Sequence, residues 1–233
     1  MIDNPGLQDQ CAQFLEEVTE LARQHRRDSS DISVVAVSKT RTLEEVSTVV
    51  AAGIKFVGEN RVQEAVSKFG DQPRDFELHM IGHLQSNKAK QAIELFNVIQ
   101  SVDSLKLAAI LNQEYAKLSK LGEIMLEINT SGEPQKFGFV PQETPSAADK
   151  IFEMQNLTLT GLMTVGPLTD DESLIRESFR QLRKLFEKVK LSHPRQEKFK
   201  HLSMGMSDDY ELAIQEGSTM IRIGRAIFGP RTA

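Results

Sequence analysis

Eight short apolar runs rich in β-branched residues recur along this 233-residue chain, at 32–38, 54–58, 77–82, 97–102, 123–129, 157–165, 199–204 and 219–224. Their starts lie 20 to 42 residues apart, so each gap has room for a strand, a turn and a helix. Amphipathic segments of helical period fill the gaps. Such alternation predicts parallel strands joined by right-handed crossovers. The runs are nearly continuous in hydrophobicity rather than cleanly alternating, as expected of strands covered on both faces. Eight strand-helix units in this length point to an α/β fold, a single-domain (β/α)8 barrel, whose usual size is about 250 residues. A doubly wound open sheet is the rival that the same pattern allows.

The intervening segments carry helix-start signals: Thr42 before LEEV, Asn60 before RVQEAV, Ser86 before NKAKQAIELF, and Ser207 followed by Asp208 and Asp209. Only RAIFGPRTA follows the eighth run, too little for a full eighth helix. An amphipathic N-terminal helix at about 6–26, with Leu7, Cys11, Phe14, Leu15, Val18, Leu21 and Ala22 on one face, is expected to pack on the barrel and fill that gap. No linker rich in Pro, Gly or Ser divides the chain, so 1–233 reads as one domain. The loop at 130–147 is the richest in turn formers, and long loops in compact domains are often functional lids.

Composition narrows the function classes. Hydrophobic residues make up 39% and charged residues 26%, and no run approaches the roughly 18 apolar residues of a membrane span. A net charge of −5 gives no field that would gather a nucleic-acid backbone. The one cysteine, Cys11, allows neither an internal disulfide nor a multi-cysteine metal cluster and reads as a packing residue. The start MIDNPGLQDQ lacks a basic stretch followed by an apolar one, so the expected location is the cytoplasm.

Barrel chemistry sits at the C-terminal ends of the strands. Lys39 ends the first run, where a partly buried amine is suited to forming a Schiff base with an aldehyde, although a solvated lysine leaving the barrel fits the position equally. SMGMSDD (203–209) and RIGRAIFG (222–229) place small residues and a helix start after the seventh and eighth strands, where barrels commonly bind phosphate. N-capping and tight turns would explain the same residues. Arg222 interrupts an apolar strand: inward, it needs an acceptor or an anion and could donate to a heterocycle's ring nitrogen; outward, it pairs with a helix acid. Arg225 offers a second donor for an anion. His79 and His83 lie four apart on one strand with no third ligand evident, so a zinc site is not expected. His83 at the strand exit is placed to touch a ligand, His79 reads as an interior residue, Asn60 as either a helix cap or a ligand contact, and Lys136 as a loop lysine that could bring a second amine over the site.

Taken together, VAVSKT (35–40), GENRVQE (58–64), HMIGHLQSNK (79–88), SMGMSDD and RIGRAIFG closely resemble the YggS/PROSC family of pyridoxal-phosphate homeostasis proteins, from about Leu7 to Arg231. The resemblance implies a fold-type III barrel similar to the N-terminal domain of alanine racemase. It implies that Lys39 holds pyridoxal 5′-phosphate as a reversible covalent aldimine. Ser203, Gly205, Ser207, Gly224 and Arg225 would then lie in the phosphate-binding segments, and Arg222 would face the pyridine nitrogen. Asn60 and His83 fall in motifs that line the pocket, and Lys136 matches a lysine proposed as a secondary acceptor. Position 225 often carries a small residue in relatives, so the backbone N–H of Arg225 is a safer contact than its side chain.

The cofactor withdraws electrons best when its ring nitrogen is protonated, and an arginine partner opposes that. Weakened carbanion chemistry suits either a racemase with a short-lived intermediate or a protein that holds the cofactor without using it. The resemblance implies the second, a monomeric carrier in vitamin B6 homeostasis that buffers the cofactor or delivers it transiently to apo-enzymes, with effects on amino-acid metabolism and without catalysis or metal. A low-activity amino-acid racemase is the alternative. Racemisation asks for a second base opposite Lys39, and of the two tyrosines, Tyr115 and Tyr210, only Tyr210 follows a strand closely enough to serve. The length also leaves no room for the second β-domain of a full alanine racemase.

Overall fold

A computed structural model describes residues 5–70, 72–193 and 196–230. Residues 1–4, read above for a leader, and Arg231, where the resemblance ends, lie outside them. The eight expected runs form eight parallel strands: β1 Ser33–Val37, β2 Phe56–Glu59, β3 Glu77–Met80, β4 Val98–Val102, β5 Gly122–Glu127, β6 Leu157–Met163, β7 His201–Ser203 and β8 Met220–Ile223. Each pairs with the next, and β8 pairs with β1 through Val35 opposite Arg222, so the sheet closes into a barrel. Closure rules out the open doubly wound sheet.

Alternation along the strands separates two apolar clusters. Val35, Val98, Met125, Met163 and Met220 meet inside the barrel, whereas their neighbours, such as Ala36, Ile99, Ile124, Leu162 and Ile221, join the larger core between barrel and helices. That outer layer comprises α2 Leu43–Ala51, α3 Val62–Phe69, α4 Ala89–Leu95, α5 Leu105–Lys117, α6 Thr144–Phe152, α7 Glu172–Ser192, α8 Tyr210–Gln215 and the single turn α9 Arg225–Phe228. Thr42 starts α2 as expected, with a complete capping box to Glu45.

The first helix, α1 Pro5–Gln24, packs against α2 and α9 and so covers the place where the last unit is short. Cys11 is fully buried there, and burial pushes its thiol up to about 11, in keeping with a packing role. Tyr210 departs from its expected place. Its ring meets Phe14 edge-on, with centroids 5.3 Å apart, and its hydroxyl donates to Glu17 Oε1 at 2.6 Å. It anchors α1 in the outer layer, and the racemase reading loses its candidate base. Tyr115 lies buried on the flank of α5, as expected.

One glycine sets the spacing of β6 and β7. A Cβ on Gly161 would stand 2.0 Å from the carbonyl oxygen of His201, a backbone atom that cannot turn aside. Gly161→Ala is therefore expected to force the two strands apart and to lower stability by about 1–3 kcal/mol. Denaturant unfolding checks this, and an unchanged midpoint would contradict the close approach.

Candidate functional site

The C-terminal mouth of the barrel gathers most of the residues singled out above. Lys39 sits one residue beyond the buried Ser38, in a turn at the exit of β1, and is partly exposed. Its turn is firmly built. Thr40 takes a left-handed φ of 65° and its N–H donates to Glu64, while the Arg41 N–H donates to the Ser38 carbonyl. Beneath it, Lys68 of α3 donates to the Ser38 carbonyl at 2.7 Å and to Glu59 Oε1 at 2.6 Å, and the Ser38 hydroxyl donates to that same oxygen. Both charges are removed from water, with side-chain exposures of 9% for Lys68 and 0% for Glu59.

Arg222 points inward. Nη1 donates to Ser203 Oγ and Nη2 to the Thr164 carbonyl, each at 2.7 Å, which answers the need of a buried guanidinium for acceptors. Burial brings its pKa down to about 10, against the pull of Asp209 and Glu127. A directed chain continues below it. Arginine can only donate, so Ser203 passes its own hydroxyl hydrogen to Gln100 Oε1 at 2.7 Å, and the amide nitrogen of Gln100 then faces His79 Nδ1 at 2.7 Å. With Nδ1 accepting, the imidazole carries its proton on Nε2. His79 is thus an interior hydrogen-bonded residue, as expected, and Ser203 presents its hydroxyl to the barrel interior from the start of the SMGMSDD segment.

Beyond β7, Gly205 turns with a φ of 97°, where a Cβ would also come within 2.5 Å of the Ala213 side chain. Ser207 Oγ accepts from the N–H groups of Gly224 and Ala226 at 3.3 and 3.4 Å, so a hydroxyl oxygen already marks where these donors converge. Arg225 turns outward to pair with Asp208. Its side chain is thereby committed to a neighbour. Asp209 is buried, its carboxyl accepts from the Met206 N–H at 2.5 Å, and burial holds its pKa above the usual value.

On the other flank, His83 Nδ1 lies 2.9 Å from Asp103 Oδ2, and its ring stacks on Phe137 with centroids 3.7 Å apart. That stack ties the 130–147 loop to the exit of β3, while Lys136 donates to the carbonyl of Gly166, beyond the end of β6, at 2.9 Å and pairs with Glu133. Asn60 does not cap α3. Arg61 occupies the N-cap position, and Asn60 Oδ1 is buried with no hydrogen-bond partner among the described residues. Ser86 likewise opens a 3-10 turn, Ser86–Lys88, instead of capping α4. Among the described residues, no group of three or more His, Cys, Asp or Glu side chains is arranged to hold a metal ion.

Glu127, which the sequence reading passed over, ends β5 inside the mouth and is 9% exposed. Burial, reinforced by Asp103 and opposed by Arg222, raises its pKa from 4.5 to about 7. It interrupts an apolar run just as Arg222 does, and that was the signal. Because its folded pKa is raised, the stabilising effect of holding its proton is full below about pH 4.5 and is lost as pH rises to about 7. Over that window wild type should lose roughly 3 kcal/mol relative to Glu127→Gln. Denaturation midpoints measured across the window check this, and parallel curves for the two proteins would refute it.

Comparisons with known proteins converge. The family model described as the alanine racemase N-terminal domain matches residues 11–232. The pyridoxal phosphate homeostasis protein of Pasteurella multocida is 39% identical over 228 residues, 97% of each chain. A crystal structure of an unknown protein from Bifidobacterium adolescentis superposes with a TM-score of 0.93 at 34% identity, covering 98% of both chains. PipY of Synechococcus elongatus, solved with PLP bound, gives 0.78 at 33% identity over 91% of this chain and all of its own.

Proposed function

This chain belongs to the alanine racemase N-terminal domain family, alongside the pyridoxal phosphate homeostasis proteins, and from that premise we propose that it binds pyridoxal 5′-phosphate at the barrel mouth as a carrier. The five-motif resemblance leads to the same family. The observation that carries the reading is the inward guanidinium of Arg222, locked by Ser203 and Thr164 at the strand end where Lys39 emerges and the Gly224 and Ala226 N–H groups converge. An amine, a fixed cationic donor and backbone donors for an anion match the aldehyde, ring nitrogen and phosphate of this cofactor.

When bound, the cofactor supplies an electron sink whose strength depends on protonation of its ring nitrogen. Arg222, an obligate donor, disfavours that protonation, so this chain's own residues favour holding over turnover. Lys39 forms the covalent attachment. Ser207, Gly205, Gly224 and the Arg225 backbone surround the phosphate, Asn60 offers its unpartnered amide oxygen, and His83 bounds the pocket from β3. Lys136 is a secondary acceptor that must first leave Gly166 and Glu133.

The finer reading is a cytoplasmic monomer, one cofactor-binding unit over 1–233, that serves vitamin B6 homeostasis by buffering the aldehyde or passing it transiently to apo-enzymes, with effects on amino-acid metabolism and no catalytic turnover. The outward engagement of Tyr210 with Glu17 supports carrier over racemase. The test is borohydride reduction of the loaded protein followed by peptide mapping, run beside a chiral assay of L-amino acids. Modification at Lys39 with no D-product is expected. Modification mainly at another lysine, or robust racemisation, would overturn the reading.

A further inference from the structure

The opposite, N-terminal end of the barrel holds a second opening, a cavity of about 520 Å³ whose lining shares only His79 with the groups described at the mouth and the chain below it. Its walls are apolar where strands begin, with Phe56, Val98, Met125 and Met220. Its floor is His79, 1% exposed, whose Nε2 has no hydrogen-bond partner among the described residues. The chain Arg222–Ser203–Gln100–His79 fixes Nδ1 as an acceptor, so the group aimed into the cavity is an N–H donor. A buried donor left unmade costs about 1–3 kcal/mol, which a ligand carbonyl would recover.

Beside that donor stands an acceptor. Glu77 Oε2 lies 3.6 Å from His79 Nε2, too long for a well-formed hydrogen bond but near enough that the imidazole holds the Glu77 carboxyl below its usual pKa, and the Glu77 side chain is 56% exposed at the rim. Arg27, Lys198 and Lys200 bring three positive charges to the lining, and Asp31, Glu77 and Glu123 bring three negative ones. Burial holds His201 down to about 4, which leaves it uncharged at neutral pH. The lining therefore favours neither anion nor cation. The low-dielectric walls also penalise an ion that leaves water.

We propose that this cavity is a second small-molecule site, selective for an uncharged ligand that presents a carbonyl beside an N–H, as a primary carboxamide or a lactam does. The carbonyl accepts from His79 Nε2–H, the N–H donates to Glu77, and a flat apolar body lies against Phe56 and the two methionines. The site stands apart from the cofactor reading, being at the other end of the barrel.

The probe is benzamide, compared with its anionic and cationic counterparts benzoate and benzylamine, titrated into the full-length protein carrying 15N-labelled histidine. Benzamide should shift the His79 ring nitrogens saturably with a Kd on the order of 1 mM. The two charged compounds should bind at least about tenfold more weakly, and Glu77→Met, a change at the exposed rim, should weaken benzamide about tenfold. No saturable shift, an equal response to benzoate, or unchanged benzamide affinity in Glu77→Met would overturn the proposal.

Discussion

Lys39→Ala should abolish the visible absorption that loading with pyridoxal phosphate produces and should lower retention of the cofactor on the order of a hundredfold, about 2.7 kcal/mol. The covalent attachment is lost outright, and what remains is the grip of backbone donors and Arg222 on a ligand held only by its far end. Lys136→Ala should leave absorption and retention near wild type, since that amine is engaged with Gly166 and Glu133. Absorbance after gel filtration, with equilibrium dialysis for the affinity, reads both. A coloured, retentive Lys39→Ala protein would remove Lys39 from the site.

The second large effect is on stability. Lys68→Met strips the partner from Glu59, whose side chain is fully buried, and leaves Oε1 with the Ser38 hydroxyl as its one remaining donor of the two. Breaking a buried pair from one side costs about 3–5 kcal/mol because the surviving charge has no solvent. In a chain of this size, that corresponds to a fall in Tm of roughly 6–20 °C. Pairing it with Glu59→Gln should recover most of the loss, because the side chain is then neutral and its amide oxygen still accepts from Ser38. Calorimetry on the two single variants and the double variant decides it. A Lys68→Met protein within about 1 kcal/mol of wild type would show that the pair contributes little. Since Lys68 also fixes the carbonyl just before Lys39, the single variant should hold the cofactor less tightly even where it is folded.

The barrel was legible because its signal is local and repeated. Each of the eight runs announces a strand by composition, and the spacing announces the crossovers. Lys39, Arg222 and the two glycine-bearing segments were legible because they end or interrupt those runs. Pairings that arise only when the sheet closes were not. His79, Gln100, Ser203 and Arg222 come from four strands spread over more than half the chain, and nothing in their local sequence says that they meet. Lys68 reads as an ordinary helix lysine until α3 lies over β2. Asn60 resembled a cap because polar residues before helices usually are caps, but the helix begins one residue later. Tyr210 looked close enough to a strand exit to serve as a base because the sequence does not show where α1 settles.

The run of hydrogen bonds from Arg222 to His79 has a further consequence. A guanidinium has no lone pair to offer, so the Ser203 hydroxyl below it can only point onward, to Gln100. The Gln100 amide is fixed a second time from the side, since its nitrogen also donates to Met220 Sδ at 3.2 Å and a thioether has no hydrogen to give back. Two independent acceptor-donor constraints therefore set the same amide orientation, like an arrow pinned at both head and tail. The imidazole at the floor inherits one tautomer from that doubly held amide, independently of what occupies the mouth.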